Sequence, residues 1–269
     1  MRRRCLFLVL TFFVVLTLPI VRAQSKPELV QVIPPPMRSA EPPSPTSSSE
    51  ELERRGDELR AQKAYLDALD YYAAAQTKSP KNAQIWNKRG ITELLIQHYK
   101  QSKKDFERAT HYDHQLADAY NNLGVISYLQ RKYAAAVKEY EKAIKIRPES
   151  ASFYSNLGAA YFSEKEFEKA TLAYSQAVRM DPGVFENASH TGVAAQMSSP
   201  EDRAHFQYVL AKLFAKQGDS DRSLLYLKRA MEEGYKGIDD VYKDPEFEHL
   251  RSDARFTQLM ASRPPAIPE

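Results

Sequence analysis

The chain has 269 residues, 38 Lys and Arg against 35 Asp and Glu, a formal charge of +3 and one cysteine. Both signs of charge interleave along it, which argues against the clustered basic footprint of a nucleic-acid binder. One cysteine leaves no disulfide framework, so stability has to come from packing.

Residues 1–23 read as a secretory signal. Arg2, Arg3 and Arg4 precede an apolar run from Leu6 to Leu18, and Val21-Arg22-Ala23 suits cleavage before Gln24. Removing this segment takes away four arginines and no acid, so the charge becomes +3 − 4 = −1. The apolar run holds 13 residues, whereas a bilayer-spanning helix needs about 20. Cys5 opens the apolar core and does not sit at a cleavage site, so it does not read as a lipidated cysteine. The expected location is exported, periplasmic or secreted; the alternative is an inner-membrane anchor formed by the same segment left uncleaved.

Residues 24–49 are rich in proline and serine, with Pro34-Pro35-Pro36, Pro42-Pro43 and Ser47-Ser48-Ser49. Such a stretch offers too little apolar surface to offset chain entropy, and a disordered linker is expected. Residues 50–184 repeat internally. With Ala117–Ser150 aligned under Ala151–Val184, Tyr120 falls on Tyr154, Leu123 on Leu157, Gly124 on Gly158, Ala136 on Ala170, Tyr140 on Tyr174, Ala143 on Ala177 and Pro148 on Pro182, a period of 34 (151 − 117). Stepping back gives Trp86, Gly90, Ser102, Phe106 and Ala109, then Gly56, Ala68, Tyr72, Ala75 and Pro80. The four units are 49–82, 83–116, 117–150 and 151–184. Each reads as two helices with a break near Arg131-Lys132 or Glu164-Lys165, and the small residues mark close backbone approaches.

Aromatic, then Leu-Gly, Ala, aromatic, Ala and Pro in this register resembles the tetratricopeptide repeat, in its bacterial exported form. Arg55 and Arg89 depart from its Leu, Ser102 from its Ala and His114 from its Pro. The resemblance implies an all-α, right-handed superhelical solenoid of antiparallel hairpins whose concave face binds polypeptide. Carried over residue by residue, it places Asn87 and Ile91, then Asn121, Val125 and Tyr128, then Ser155, Ala159 and Phe162 on that face, with Asn122 and Asn156 beside them. Asn amides there would pair with the backbone of an extended peptide. Lys88 is the one candidate remnant of a clamp for an acidic C-terminus.

After Pro182 the register slips, and 185–203 reads as an inserted loop. Residues 204–237 restore the spacing through Leu210-Ala211, Phe214, Ser223, Leu227 and Ala230, a degenerate fifth repeat. Residues 238–262 read as capping helices, with Phe247, Leu250, Phe256 and Leu259 covering the last apolar face and Gly234 and Gly237 in turns of positive φ. Residues 263–269 read as a disordered tail.

No catalytic, cofactor or metal site is expected. His111 and His114 lie at a helix end without a Cys partner, no histidine adjoins a nucleophile motif, and no phosphate-binding glycine loop occurs. The expected function is non-catalytic: an adaptor holding a polypeptide partner in envelope, secretion or pilus assembly. The alternative is a self-associating structural organiser anchored by its N-terminus. Specificity is expected in either the groove or the 185–203 insertion.

Overall fold

The computed structural model describes residues 38–185 and 199–264. The signal segment, residues 24–37, most of the 185–203 insertion and the last five residues lie outside it. Among the described residues the chain is helical, without strands. Ten helices pair as five antiparallel hairpins: α1 (Ser49–Ala61) with α2 (Tyr65–Lys78), α3 (Ala83–Leu95) with α4 (Tyr99–Tyr112), α5 (Ala117–Leu129) with α6 (Tyr133–Ile146), α7 (Ala151–Ser163) with α8 (Phe167–Met180), and α9 (Pro200–Lys216) with α10 (Ser220–Glu232). The second helix of each of the first four packs on the first helix of the next, as an all-α solenoid requires.

One contact recurs in the first four hairpins. Gly56, Gly90, Gly124 and Gly158 lie against the rings of Tyr72, Phe106, Tyr140 and Tyr174, and all four rings are fully buried. A Cβ added at Gly56 or Gly90 would meet ring carbon at 2.7 or 2.6 Å, and the other two sites leave no more room. The glycines are therefore needed for closeness of approach rather than for backbone freedom. In the fifth hairpin Ala211 stands at the glycine position and Leu227 at the ring position, both fully buried; the extra methyl is accommodated by a smaller partner. Ser102 and Ser223, where other repeats carry Ala, are buried but satisfied: each hydroxyl donates to the carbonyl of the residue at the glycine position, Gly90 at 2.8 Å and Ala211 at 2.9 Å.

The turn inside each hairpin needs one left-handed residue. Lys63, Gln97, Arg131 and Lys165 take φ of 58 to 63°, and Gly218 takes 77° in the fifth. Gly234 is also left-handed at 82°, but Gly237 has φ −87° and does not need to be glycine for its φ.

Three other expectations are corrected. Residues 38–48, expected as part of a disordered linker, form a strap along α2. The backbone N–H groups of Ser39 and Ala40 donate to Asp67 at 3.0 Å, Arg38 pairs with Asp70, Tyr71 donates to the Glu41 carbonyl and Lys78 to that of Pro45. Ala40 packs on the core of the first hairpin, whose free side no other hairpin covers among the described residues. Ser48 then opens α1 with a capping box closed by Glu51. Helix α9 begins at Pro200, inside the expected insertion, because the Ser199 side chain caps it and proline suits its first turn. The C-terminal cap is built from three 3-10 turns (Ile238–Tyr242, Pro245–Phe247, His249–Ser252) and one α-helix, α11 (Ala254–Ser262). Val241, Phe247, Leu250, Phe256 and Met260 are buried there, with Leu259 only partly so, and Arg263 extends past the cap to pair with Asp239.

The glycine–ring contact makes a coupled prediction. Gly124→Ala should cost about 2–3 kcal/mol by overpacking, read from urea unfolding, and Gly124→Ala with Tyr140→Leu should cost less than the two single changes summed, as the fifth hairpin already shows. Simple additivity would mean that the two positions do not share this contact. Tyr140→Phe should be neutral or stabilising, because its buried hydroxyl has no hydrogen-bond partner among the described residues; Tyr72→Phe should destabilise, since that hydroxyl donates to Asp57 at 2.6 Å.

Candidate functional site

The first helices of successive hairpins adjoin along one face, and a ladder of side-chain bonds runs across it. Lys88 donates to Glu53 at 2.6 Å, Asn122 to Asn87 at 3.0 Å and Asn156 to Asn121 at 2.9 Å. Each rung joins residues 35 apart in sequence, the sixth position of one repeat to the fifth position of the one before. A fourth bond of the same separation joins the hydroxyls of Tyr128 and Ser163 at 2.9 Å. The amides thus fix neighbouring hairpins to each other first, and only their remaining groups are available to a ligand.

Four of the eight expected groove residues are not surface groups. Asn87 and Tyr128 are 5% exposed, Phe162 is 2% and Ala159 is 0%. Phe162 is covered by Phe167 of its own hairpin and by His205 and Phe206 from α9. Tyr128 lies against Tyr133. Ile91, Asn121, Val125 and Ser155 remain half-buried, and Leu94, Asn122, Leu129 and Asn156 share this partial exposure. Together they make an uncharged stripe over α3, α5 and α7.

Ion clusters flank the stripe. At one side Lys88 is held between Glu53 and Asp57, each at 2.6 Å, so it is no free clamp lysine; burial pulls its pKa down, but the two carboxylates outweigh this and raise it. At the other side Lys212 pairs with Asp244 at 3.0 Å and Glu246 at 3.5 Å, and Tyr208 donates to Asp244 at 2.8 Å. Among the described residues no group of three or more His, Cys, Asp or Glu side chains could hold a metal. His111 is exposed and packs edge-on to Tyr112.

Arg55, Arg89 and Ser102, three of the departures from the repeat pattern, have polar partners. Arg55 reaches Glu58 at 2.8 Å, in the first of the described hairpins. Arg89, at a core leucine position, donates to both oxygens of Asp105 at 2.8 and 2.9 Å and to Gln76 of the first hairpin, and lies 5.0 Å from the Trp86 ring centroid. Asp105 is fully buried, and burial raises its carboxyl above the usual range despite Arg89 and Gln101.

Two family models match the sequence: "TPR repeat" over residues 126–165 and "Tetratricopeptide repeat" over residues 151–183. The comparison with curated proteins found no match. Among solved structures, MamA from Desulfovibrio magneticus RS-1 is 16% identical with a TM-score of 0.50, over 71% of this chain and 97% of its own. TTC0263 of Thermus thermophilus, a thermophilic repeat protein, is 18% identical with a TM-score of 0.49 over 80% and 100%. YrrB, whose structure is described as having an unusual peptide-binding site, is 16% identical with a TM-score of 0.48 over 73% and 92%. At such identity the first of these speaks for the fold alone.

Removing Arg89 tests the buried pair through pH. A carboxyl whose folded pKa is raised contributes stability below its unfolded pKa that is lost as pH rises through the folded value. Arg89→Ala should therefore cost about 3–5 kcal/mol at pH 7, where Asp105 is left charged and buried, and clearly less below about pH 4, where the carboxyl is protonated. The same loss at both values would show that Asp105 is not the group destabilised.

Proposed function

Because the chain belongs to the tetratricopeptide-repeat proteins, we propose that it is a non-catalytic scaffold that holds another polypeptide along the stripe of α3, α5 and α7. The observation that carries this reading is the ladder. Three successive first helices are locked at fixed spacing by Asn87, Asn121, Asn122 and Asn156, and between the rungs stand half-exposed Ile91, Val125 and Leu129. A preorganised surface alternating apolar area with amide groups suits an extended segment, which needs both apolar contact and partners for its backbone. The flanking ion clusters favour a partner that is uncharged over the stripe, since a charge buried there would lack a counter-ion.

The proposed setting is outside the cytoplasmic membrane, supported by the arginines, apolar run and small residues of positions 1–23. Envelope, secretion or pilus assembly is the proposed context. The strap along α2 weighs against the self-associating alternative, because it occupies the free side of the first hairpin, where another hairpin would stack.

A photo-crosslinking residue placed at Val125, and in a second variant at Ile91, should capture one and the same envelope protein in the native cell, identified by mass spectrometry, while the same residue at Lys142 on the other side of its hairpin should not. Adducts only from Lys142, or only with the protein itself, would remove the stripe from consideration.

A further inference from the structure

Interleaved charge in the sequence hides an asymmetry in the fold. The turns inside hairpins 1, 2 and 3 form a basic edge: Lys63, Lys100, Lys103, Lys104, Arg131 and Lys132 are all exposed. Gln130 of the third turn lines one open recess with Gln97, Lys100 and Lys104 of the second, so the two turns adjoin. The acidic side chains in that recess are already engaged, Glu93 with His98 at 2.8 Å and Glu107 with Lys103 at 3.4 Å. In the fourth turn exposed Lys165 and Lys169 are interspersed with Glu164, Glu166 and Glu168, and Lys169 pairs with Glu166; the fifth carries Asp219 and Asp221. Beside the lysines stand Leu95 and Tyr99, each 38% exposed, among the few large apolar side chains at the surface.

The strap brings the N-terminal side of the chain to this same edge. Ser39 and Ala40 bond to Asp67 in the first turn of α2, and Pro45 accepts from Lys78 at its end, so the strap runs parallel to α2 and enters beside the first hairpin turn.

We propose that this basic edge lies against an anionic bilayer surface. Two observations favour a bilayer over an acidic polypeptide. The cations extend over three successive turns, beyond the one recess that Lys100 and Lys104 line, and an aromatic and an aliphatic side chain stand beside them. Lysines and arginines near anionic lipid each strengthen partitioning by about fivefold, and tyrosine suits the headgroup level. The stripe of α3, α5 and α7 plays no part in this contact, so the proposal stands apart from the scaffold reading.

The test co-sediments full-length protein with vesicles of phosphatidylcholine, alone or with about a third phosphatidylglycerol. All variants share the same N-terminus, whose own lipid binding therefore cancels. Wild type should prefer the anionic vesicles by at least roughly tenfold, less so in high salt. Lys100→Glu with Lys103→Glu and Lys104→Glu should lose that preference, while Lys142→Glu with Lys145→Glu and Arg179→Glu, the same charge change at the far ends of α6 and α8, should keep it. No preference in wild type, its survival in the first variant, or an equal loss in the second overturns the proposal. Binding of polyglutamate by this edge without binding to anionic vesicles would overturn it in favour of an acidic polypeptide.

Discussion

Everything in this fold depends on how closely the two helices of a hairpin approach, and in the first four hairpins that distance is set by a glycine lying on an aromatic ring. At four sites there is no room for even a methyl group between Gly56, Gly90, Gly124 or Gly158 and the ring that faces it. Once the spacing is fixed, the second helix of each hairpin presents the next with a surface of constant shape, and stacking follows. The fifth hairpin keeps the geometry with a different pair, Ala211 and Leu227. The invariant is therefore the summed volume across the contact rather than the residues themselves.

The hairpins were legible in the sequence because their determinants are local and repeat at fixed spacing. Gly124, Ala136, Tyr140 and Ala143 are small or aromatic for reasons that recur 34 residues later at Gly158, Ala170, Tyr174 and Ala177. The strap was not legible. Composition marks residues 38–48 as too polar and proline-rich to build a core, which is correct; what orders them is hydrogen bonding of their backbone to Asp67, Tyr71 and Lys78 on a helix some thirty residues away. The start of α9 was misjudged for a related reason: Ser198-Ser199-Pro200 suits a loop and a helix start equally well, and the Ser199 cap decides between them.

The candidate site divides in the same manner. Reading one helix face at a time places Tyr128 and Phe162 at the surface, yet burial is decided by neighbours outside that helix: Tyr133 covers Tyr128, and His205 and Phe206 from beyond the insertion cover Phe162. Asn87 is lost to the surface because Asn122 of the next hairpin reaches across to it. A signal for that ladder did exist, in amide residues recurring at 87, 121–122 and 156. It was readable as ligand binding or as mutual pairing, and the structure shows pairing. The basic edge has no counterpart in sequence order, since its cations come from three separate turns.

The pairing among the asparagines gives the scaffold its character: the surface is rigid before a partner arrives, so binding need not order it. Hydrogen–deuterium exchange on the isolated protein measures this most directly. If the first helices are locked by the ladder, amides in α5 and α7 should exchange slowly, near the limit set by global unfolding, with Asn122→Ala raising exchange in α3 and α5 together. Fast exchange across these helices in the unliganded protein, or an effect of the substitution confined to α5, would contradict a preorganised surface.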